Sequence, residues 1–289
     1  MLRDYIILAR PQQYVKNLFI LLPLFFGGKF FELELLGRTL LVALSFSLLA
    51  SAAYILNDYH DVAEDRLHPT KKNRPLASGR VTPGRAFLPA AAFLLAGLAL
   101  AAGLGNAILL LLSSYILLNV AYTMKLKHVA ILDVFIIAVG FVLRLYAGSA
   151  ASGVGLSMWI VLMTFLLALF LALAKRRNDV LIYLETERKT RKAIDGYTLE
   201  FLNASIVIMA SVTIVAYIMY TVSGEAASRI QSEYLYFTVG FVLLGIMRYM
   251  QVSFLGKEKC DPTEVLLKDR FLQLSILAWI VSFGLILYN

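Results

Sequence analysis

The sequence predicts an all-α integral membrane protein, a single domain over 1–289 built as a bundle of nine transmembrane helices. Three observations predict it. Of 289 residues, 60% are hydrophobic and 16% charged, against an apolar share of about 45–50% in ordinary globular chains. Mean hydropathy is +0.76. Apolar runs close to the roughly 20 residues needed to cross a hydrocarbon core recur along the whole chain.

The first run, 15–31, follows the polar N-terminal stretch MLRDYIILARPQQYVKN. That stretch is too polar for a secretory leader and lacks a small-residue cleavage site, so the first span is expected to remain in the mature protein. The second run, 39–56, ends on the charged segment 57–85. The third and fourth, 86–104 and 106–123, are separated by a short uncharged turn. The fifth, 129–149, follows the basic loop 124–128 and leads into a Gly-rich, uncharged loop at 150–156. The sixth, 157–174, is closed by the charged loop 175–200. The last three are 202–222, 234–250 and 270–288, with charge gathered at 248–270.

Charge placement orients this bundle. Lys and Arg are retained preferentially on the cytoplasmic side, and 23 of the 27 Lys and Arg residues fall in the N-terminal segment and the loops 57–85, 124–128, 175–200 and 248–270. The opposite loops carry only Lys29, Arg38 and Arg229. The N-terminus is therefore expected inside a cytoplasmic (inner) membrane and the C-terminus outside. The net charge of +8 is then a topology signal with a secondary attraction for anionic headgroups; nucleic-acid binding does not follow from it. Cys260 is the only cysteine, which excludes an intrachain disulfide and a cysteine-based metal site.

The chemistry is expected in NDYHDVAEDRLHPTKKNRP, residues 57–75. Asp58, Asp61 and Asp65 are spaced i, i+3, i+7, which on a helix places all three on one face. Clustered carboxylates repel one another unless a cation lies between them, and an oxygen-only set open to water suits Mg²⁺. Basic neighbours such as Lys71 and Arg74 point to a phosphorylated substrate.

Other polar residues converge on the same rim. Arg10, Lys16 and Asn17 precede the first span; Tyr122, Lys125 and Lys127 follow the fourth. Alone, each would pass as an interfacial anchor. KRRND at 175–179 would likewise anchor a helix end, but Lys175 and Arg176 face different ways, so one of them is expected to point inward. Arg is shaped to grip phosphate through two parallel hydrogen bonds, and Asp179 is placed to orient Lys175 or join a metal shell. Asp133 and Arg144 lie on one face of the fifth span with Gly140 between them. Ionisable groups inside a span are functional candidates, with a structural ion pair or a snorkelling side chain as the plainer reading.

NDYHDVAED followed by RLHPTKKNRPLASG resembles the first Asp-rich motif of the UbiA superfamily of intramembrane prenyltransferases, and the likeness runs over nearly the whole chain. RPQQYVKN, KLKHVAILDVFIIAVGFVLRLYAG, AKRRND and DPTEVLLKDR are similar to the branch that phosphoribosylates decaprenyl phosphate. Ordinary prenyltransferases carry a second Asp-rich motif after the sixth span; here Lys175, Arg176 and Arg177 stand in its place with one acid, Asp179. One acidic and one basic cluster fit a diphosphate bound through Mg²⁺ and a lipid monophosphate held by cations.

The resemblance implies Mg²⁺-dependent transfer of 5-phosphoribose from phosphoribosyl pyrophosphate to a polyprenyl phosphate. It implies Asp58, Asp61 and Asp65 as metal ligands, and Asp58, Asp61, Lys127 and Asp133 as catalytic residues. Lys16, Asn17, Lys71, Arg74, Arg144, Lys175 and Arg176 are expected on substrates, with Asn57, Tyr122 and Asp179 orienting ribose or metal ligands. Expected partners are the donor, the polyprenyl phosphate and membrane lipids, with a homo-oligomer left open. The alternatives are a prenyltransferase acting on an aromatic or other acceptor, and a transporter coupled through Asp133 and Arg144.

Overall fold

Among the described residues the chain is helical, with long α-helices joined by 3₁₀ turns and short loops. The computed structural model describes residues 2–67, 70–186, 192–230, 232–255 and 262–288. Cys260 and Asp261, the first residue of the DPTEVLLKDR stretch, lie outside them.

The elements run in order as α1 (Leu2–Ala9), a 3₁₀ stretch (Pro11–Leu21), α2 (Leu22–Phe26), α3 (Leu33–His60), α4 (Val62–Leu67) and a 3₁₀ turn (Lys71–Asn73). They continue as α5 (Pro83–Leu104), α6 (Asn106–Met124), a 3₁₀ turn (Leu126–His128), α7 (Leu132–Ser152), α8 (Met158–Thr186) and a 3₁₀ turn (Lys192–Gly196). The chain closes with α9 (Leu199–Thr221), α10 (Gly224–Ile230), a 3₁₀ turn (Glu233–Thr238), α11 (Val239–Leu255), α12 (Pro262–Lys268) and α13 (Arg270–Tyr288). Two compact units result, Met1–Leu156 with Tyr183–Tyr197, and Ser157–Ile182 with Thr198–Asn289.

Eight helices among the described residues are long and apolar enough to cross a membrane, the first being Leu33–His60 and the last Arg270–Tyr288. They match the expected second to ninth spans. The expected first span, 15–31, is not one of them. Pro11 and Pro23 each occupy a first helical turn and Gly27 caps the end, so the segment is a 3₁₀ stretch joined to a five-residue α-helix. A 3₁₀ run of 11 residues far exceeds the usual three or four, and tertiary contacts hold it. Ile20 is fully buried, Asn17 donates to Ser47 Oγ at 2.7 Å, and Tyr14 and Ser51 share a hydrogen bond of 2.8 Å. The sixth span also differs: α8 runs on past KRRND to Thr186, so those cations lie within a helix and do not end one.

In the first unit, α3 is central and packs on α5, α6, α7 and the 3₁₀ stretch. Lipid is as apolar as leucine, so helix association in a membrane rests on close van der Waals fit and interhelical hydrogen bonds. Both are present. Ser45 Oγ donates to the Gly97 carbonyl at 2.7 Å across α3 and α5. A Cβ at Gly148 would stand 2.0 Å from the Ile20 carbonyl oxygen, so only glycine lets α7 meet the 3₁₀ stretch backbone to backbone. Phe46, Leu49, Leu112 and Tyr115 fill the centre.

In the second unit, α11 packs on α13 and α9. Tyr217 ties three elements together: its hydroxyl accepts from Trp279 Nε1 at 2.7 Å and shares a 2.6 Å hydrogen bond with Thr238.

Candidate active site

Asp58 sits in the last turn of α3, Asp61 caps that helix and Asp65 belongs to α4. The helix breaks at Asp61, yet the i to i−4 pattern carries through, because Asp61 N–H donates to Asn57 O and Asp65 N–H to Asp61 O. The expected common face is therefore kept. All three carboxylates are buried, at 2%, 8% and 4% exposure, while Tyr59 and His60 are exposed. A helix C-terminus carries partial negative charge, so burying carboxylates there is costly without cations.

Three cations supply the balance. Asp58 Oδ1 accepts from Arg10 Nη2 and, at 2.9 Å, from Arg74 Nη1. The same Arg74 nitrogen donates to Asp65 Oδ2 at 2.6 Å. Asp61 accepts from Lys127 Nζ at one oxygen and from Asn57 Nδ2 at the other, 2.8 Å away. Thr123 Oγ1 lies 3.5 Å from Asn57 Oδ1. Burial pushes the Asp65 carboxyl up, against the pull of Arg74 and Lys71. Burial likewise lowers the Arg10 guanidinium, opposed by Asp58.

Among the described residues, no three His, Cys, Asp or Glu side chains are grouped as a ready metal cage. The donor chemistry still fits Mg²⁺. The cluster is all oxygen, Asp58 and Asp65 meet on one Arg74 nitrogen, and Mg²⁺ is ordinarily held by one or two carboxylates with substrate phosphates and water completing its shell.

Lys127 owes its place to a second device. It lies on the turn between α6 and α7, where Ile131 adopts φ 69°, a rare conformation for a β-branched residue. Tyr197 holds that turn. Its hydroxyl accepts from Ile131 N–H at 2.7 Å and donates to Asp133 Oδ1 at 2.6 Å. Gly196 lies so close that a Cβ there would stand 2.5 Å from Ala130 Cβ.

Asp133 and Arg144 share α7 but serve different partners. Asp133, fully buried, takes the Tyr197 hydroxyl. Arg144 donates through Nε to Asn17 Oδ1 at 2.8 Å and through Nη1 to the Gly140 carbonyl at 2.8 Å. Its guanidinium lies 4.6–5.2 Å from the ring centres of Phe46, Tyr115 and Phe141. Asn17 and Arg144, both expected on substrates, thus engage each other. Lys16, Lys71 and Tyr122 are half-buried.

In the second unit, Arg176 is the inward cation at 1% exposure, and Lys175 is half-buried. Arg176 Nη1 donates to Asp179 Oδ2 at 2.7 Å, an acid expected to orient Lys175 or join a metal shell. Arg177 is also buried, donating to Asn203 Oδ1 at 2.7 Å and the Ser253 carbonyl at 2.8 Å.

Sequence reasoning gave no role to Arg10 beyond membership of a basic rim and none to Tyr197. Arg10 opens the RPQQYVKN motif and immediately precedes a proline, which was the available signal. Nothing in the sequence marks Tyr197, 64 residues from Asp133.

Residues 18–276 match the UbiA prenyltransferase family. The decaprenyl-phosphate phosphoribosyltransferase of Mycolicibacterium smegmatis is 33% identical over 291 residues, covering 97% of this chain and 91% of that protein. The enzyme of the same name from Corynebacterium glutamicum is 32% identical over 289 residues, covering 96% and 85%. Among solved structures, a UbiA homolog from Archaeoglobus fulgidus bound to GPP and Mg²⁺ superposes with a TM-score of 0.70 at 21% identity over 99% of both chains, a likeness of fold.

Proposed function

The chain belongs to the UbiA prenyltransferase family, and from that premise we propose that it transfers 5-phosphoribose from phosphoribosyl pyrophosphate to a polyprenyl phosphate of the decaprenyl type. The observation that carries this reading is the buried cluster of Asp58, Asp61 and Asp65 against Arg10, Arg74 and Lys127. Its oxygens suit a divalent metal and its cations suit a diphosphate. The relatives named decaprenyl-phosphate phosphoribosyltransferase support the pentosyl donor. So does KRRND, with its single acid at Asp179, where prenyltransferases are expected to have a second acidic cluster.

In the reaction, the bond between the anomeric carbon and the diphosphate oxygen breaks while a lipid-phosphate oxygen bonds that carbon, and pyrophosphate leaves. The attacking phosphate is already anionic, so no strong general base is needed. Mg²⁺, when bound, supplies neutralisation of charge growing on the leaving group. Asp58, Asp61 and Asp65 are the residues that would hold it. Arg74, Lys71 and Lys127 take diphosphate oxygens, with Asn57 and Tyr122 orienting ribose or metal ligands. Pre-placed cations of this kind act where charge develops, and alignment of the two reactants adds a proximity effect.

The lipid phosphate is assigned to Lys175 and Arg176, with Asp179 holding Arg176. That assignment rests on the fork geometry of arginine and the burial of Arg176.

The reading includes nine crossings of a cytoplasmic membrane, the N-terminus inside and the chemistry on the cytoplasmic side. Pro11–Phe26 supports the ninth, since 3₁₀ and α rises of about 2.0 and 1.5 Å per residue give it a reach of roughly 30 Å, comparable with the hydrocarbon core.

The test uses detergent-purified protein with Mg²⁺, phosphoribosyl pyrophosphate and a polyprenyl phosphate, measuring pyrophosphate and phosphoribosyl lipid together. A parallel reaction contains a prenyl diphosphate and 4-hydroxybenzoate. Product in the first mixture is expected; product only in the second would replace this reading with aromatic prenylation.

A further inference from the structure

Each carboxylate of the cluster has a cation. Asp58 holds Arg10 and Arg74, Asp65 shares Arg74, and Asp61 holds Lys127. Three acids face three directly paired bases, and Lys71 lies near enough to act on Asp65 as well. A divalent ion arriving alone would have to take carboxylates from buried or half-buried cations, leaving those cations beside one another and beside the metal. Arg10 and Arg74 are already close enough to repel. A divalent ion arriving with a diphosphate meets no such cost, because the phosphate oxygens receive the cations that the metal displaces.

Arg10 is the member built to move. It adopts the left-handed conformation, φ 53° and ψ 55°, directly before Pro11, a region that is poor for a non-glycine residue and poorer before proline. Its side chain is held there by Asp58 and by the face of Tyr54, 5.2 Å from the guanidinium. Release from Asp58 frees it to reach a new anion.

The geometry points to Arg10 as a residue that closes Asp58 to free metal and passes to the diphosphate, so that metal and donor bind as one complex and metal does not bind ahead of donor. This rests on the metal-diphosphate reading above and adds the order of binding and the residue that sets it.

Equilibrium dialysis of the detergent-solubilised full chain against Mn²⁺ tests it, because excess manganese on the protein side reads binding without catalysis. Wild type is expected to retain Mn²⁺ with an affinity about tenfold or more higher when pyrophosphate is present, a coupling within the usual range. Arg10→Gly removes the cation and suits a left-handed backbone. It is expected to retain Mn²⁺ without pyrophosphate and to show less than about threefold enhancement. Arg10→Gln shows the same direction should the glycine variant fail to fold. Equal retention by wild type with and without pyrophosphate overturns the binding order while leaving the phosphoribosyl transfer standing. Arg10 variants that behave as wild type overturn the assignment to Arg10. No retention under either condition overturns the metal assignment itself.

Discussion

Tyr197 donates its hydroxyl to Asp133 at 2.6 Å across 64 residues of sequence, and through the Ile131 N–H it fixes the turn that carries Lys127. Tyr197→Phe removes the hydrogen bond to the buried Asp133 and the part-buried one from Ile131 N–H. The expected loss is about 1–3 kcal/mol, measured as a lower melting temperature in detergent, together with slower turnover as Lys127 loses its placement. Unchanged melting and turnover would show that the turn holds itself.

Asp58→Asn or Asp61→Asn keeps the shape of the side chain but removes its charge. Each is expected to reduce turnover by about 10²- to 10³-fold, the scale seen when one preorganised electrostatic group is lost. Asp4, whose partner Arg80 is half exposed, serves as the control: Asp4→Asn is expected to retain nearly full activity. Active Asp58 and Asp61 variants would remove both residues from the metal site.

Arg176→Ala leaves the buried Asp179 without this donor, and breaking a buried pair costs about 3–5 kcal/mol. Arg176→Lys keeps a charge without the fork. The lysine variant is expected to recover folding while its KM for polyprenyl phosphate stays raised. A KM equal to wild type in Arg176→Lys would leave Arg176 a purely structural role.

Arg144→Met removes a guanidinium enclosed by Phe46, Tyr115 and Phe141 and its hydrogen bond to Asn17. The expected result is a lower melting temperature with KM for the donor unchanged. A raised KM without loss of stability would return Arg144 to the substrate site.

Arg248 clamps Asp269 at 2.7 Å and holds its carboxyl below the ordinary aspartate range, aided by the Leu272 N–H. A carboxyl depressed in the folded state adds stability above its unfolded pKa, about 3.9, and loses it as pH falls through the lower folded value. Asp269→Asn is therefore expected to lower the melting temperature at pH 7, with the gap from wild type closing below about pH 4. A gap independent of pH would mean that the hydrogen bonds matter and the charge does not.

Eight of the nine expected spans were legible because a membrane helix writes its length and hydropathy directly into sequence. The segment 15–31 was not, because its winding is set by Asn17, Ile20 and Gly148 in contact with distant elements. The Asp58, Asp61, Asp65 face was legible from spacing alone. Which cation meets which acid was not: Arg10 comes from 48 residues before Asp58 and Lys127 from 66 after Asp61. The partners of Asp133 and Arg144 were not legible either, since Tyr197 and Asn17 lie on other elements 64 and 127 residues away.

Asn17 waits for Arg144 through 127 residues of synthesis. At about 5–20 residues per second, the ribosome needs roughly 6–25 s to deliver the surface against which the first segment winds. Until then Pro11–Leu21 has neither the Gly148 groove nor its Arg144 bond, so its final pitch is a late event in biogenesis. Nascent chains halted before residue 140 should leave a cysteine placed at Ile20 open to alkylation, and chains halted well beyond α7 should protect it. Equal protection in both would mean that the amino-terminal segment settles without that partner.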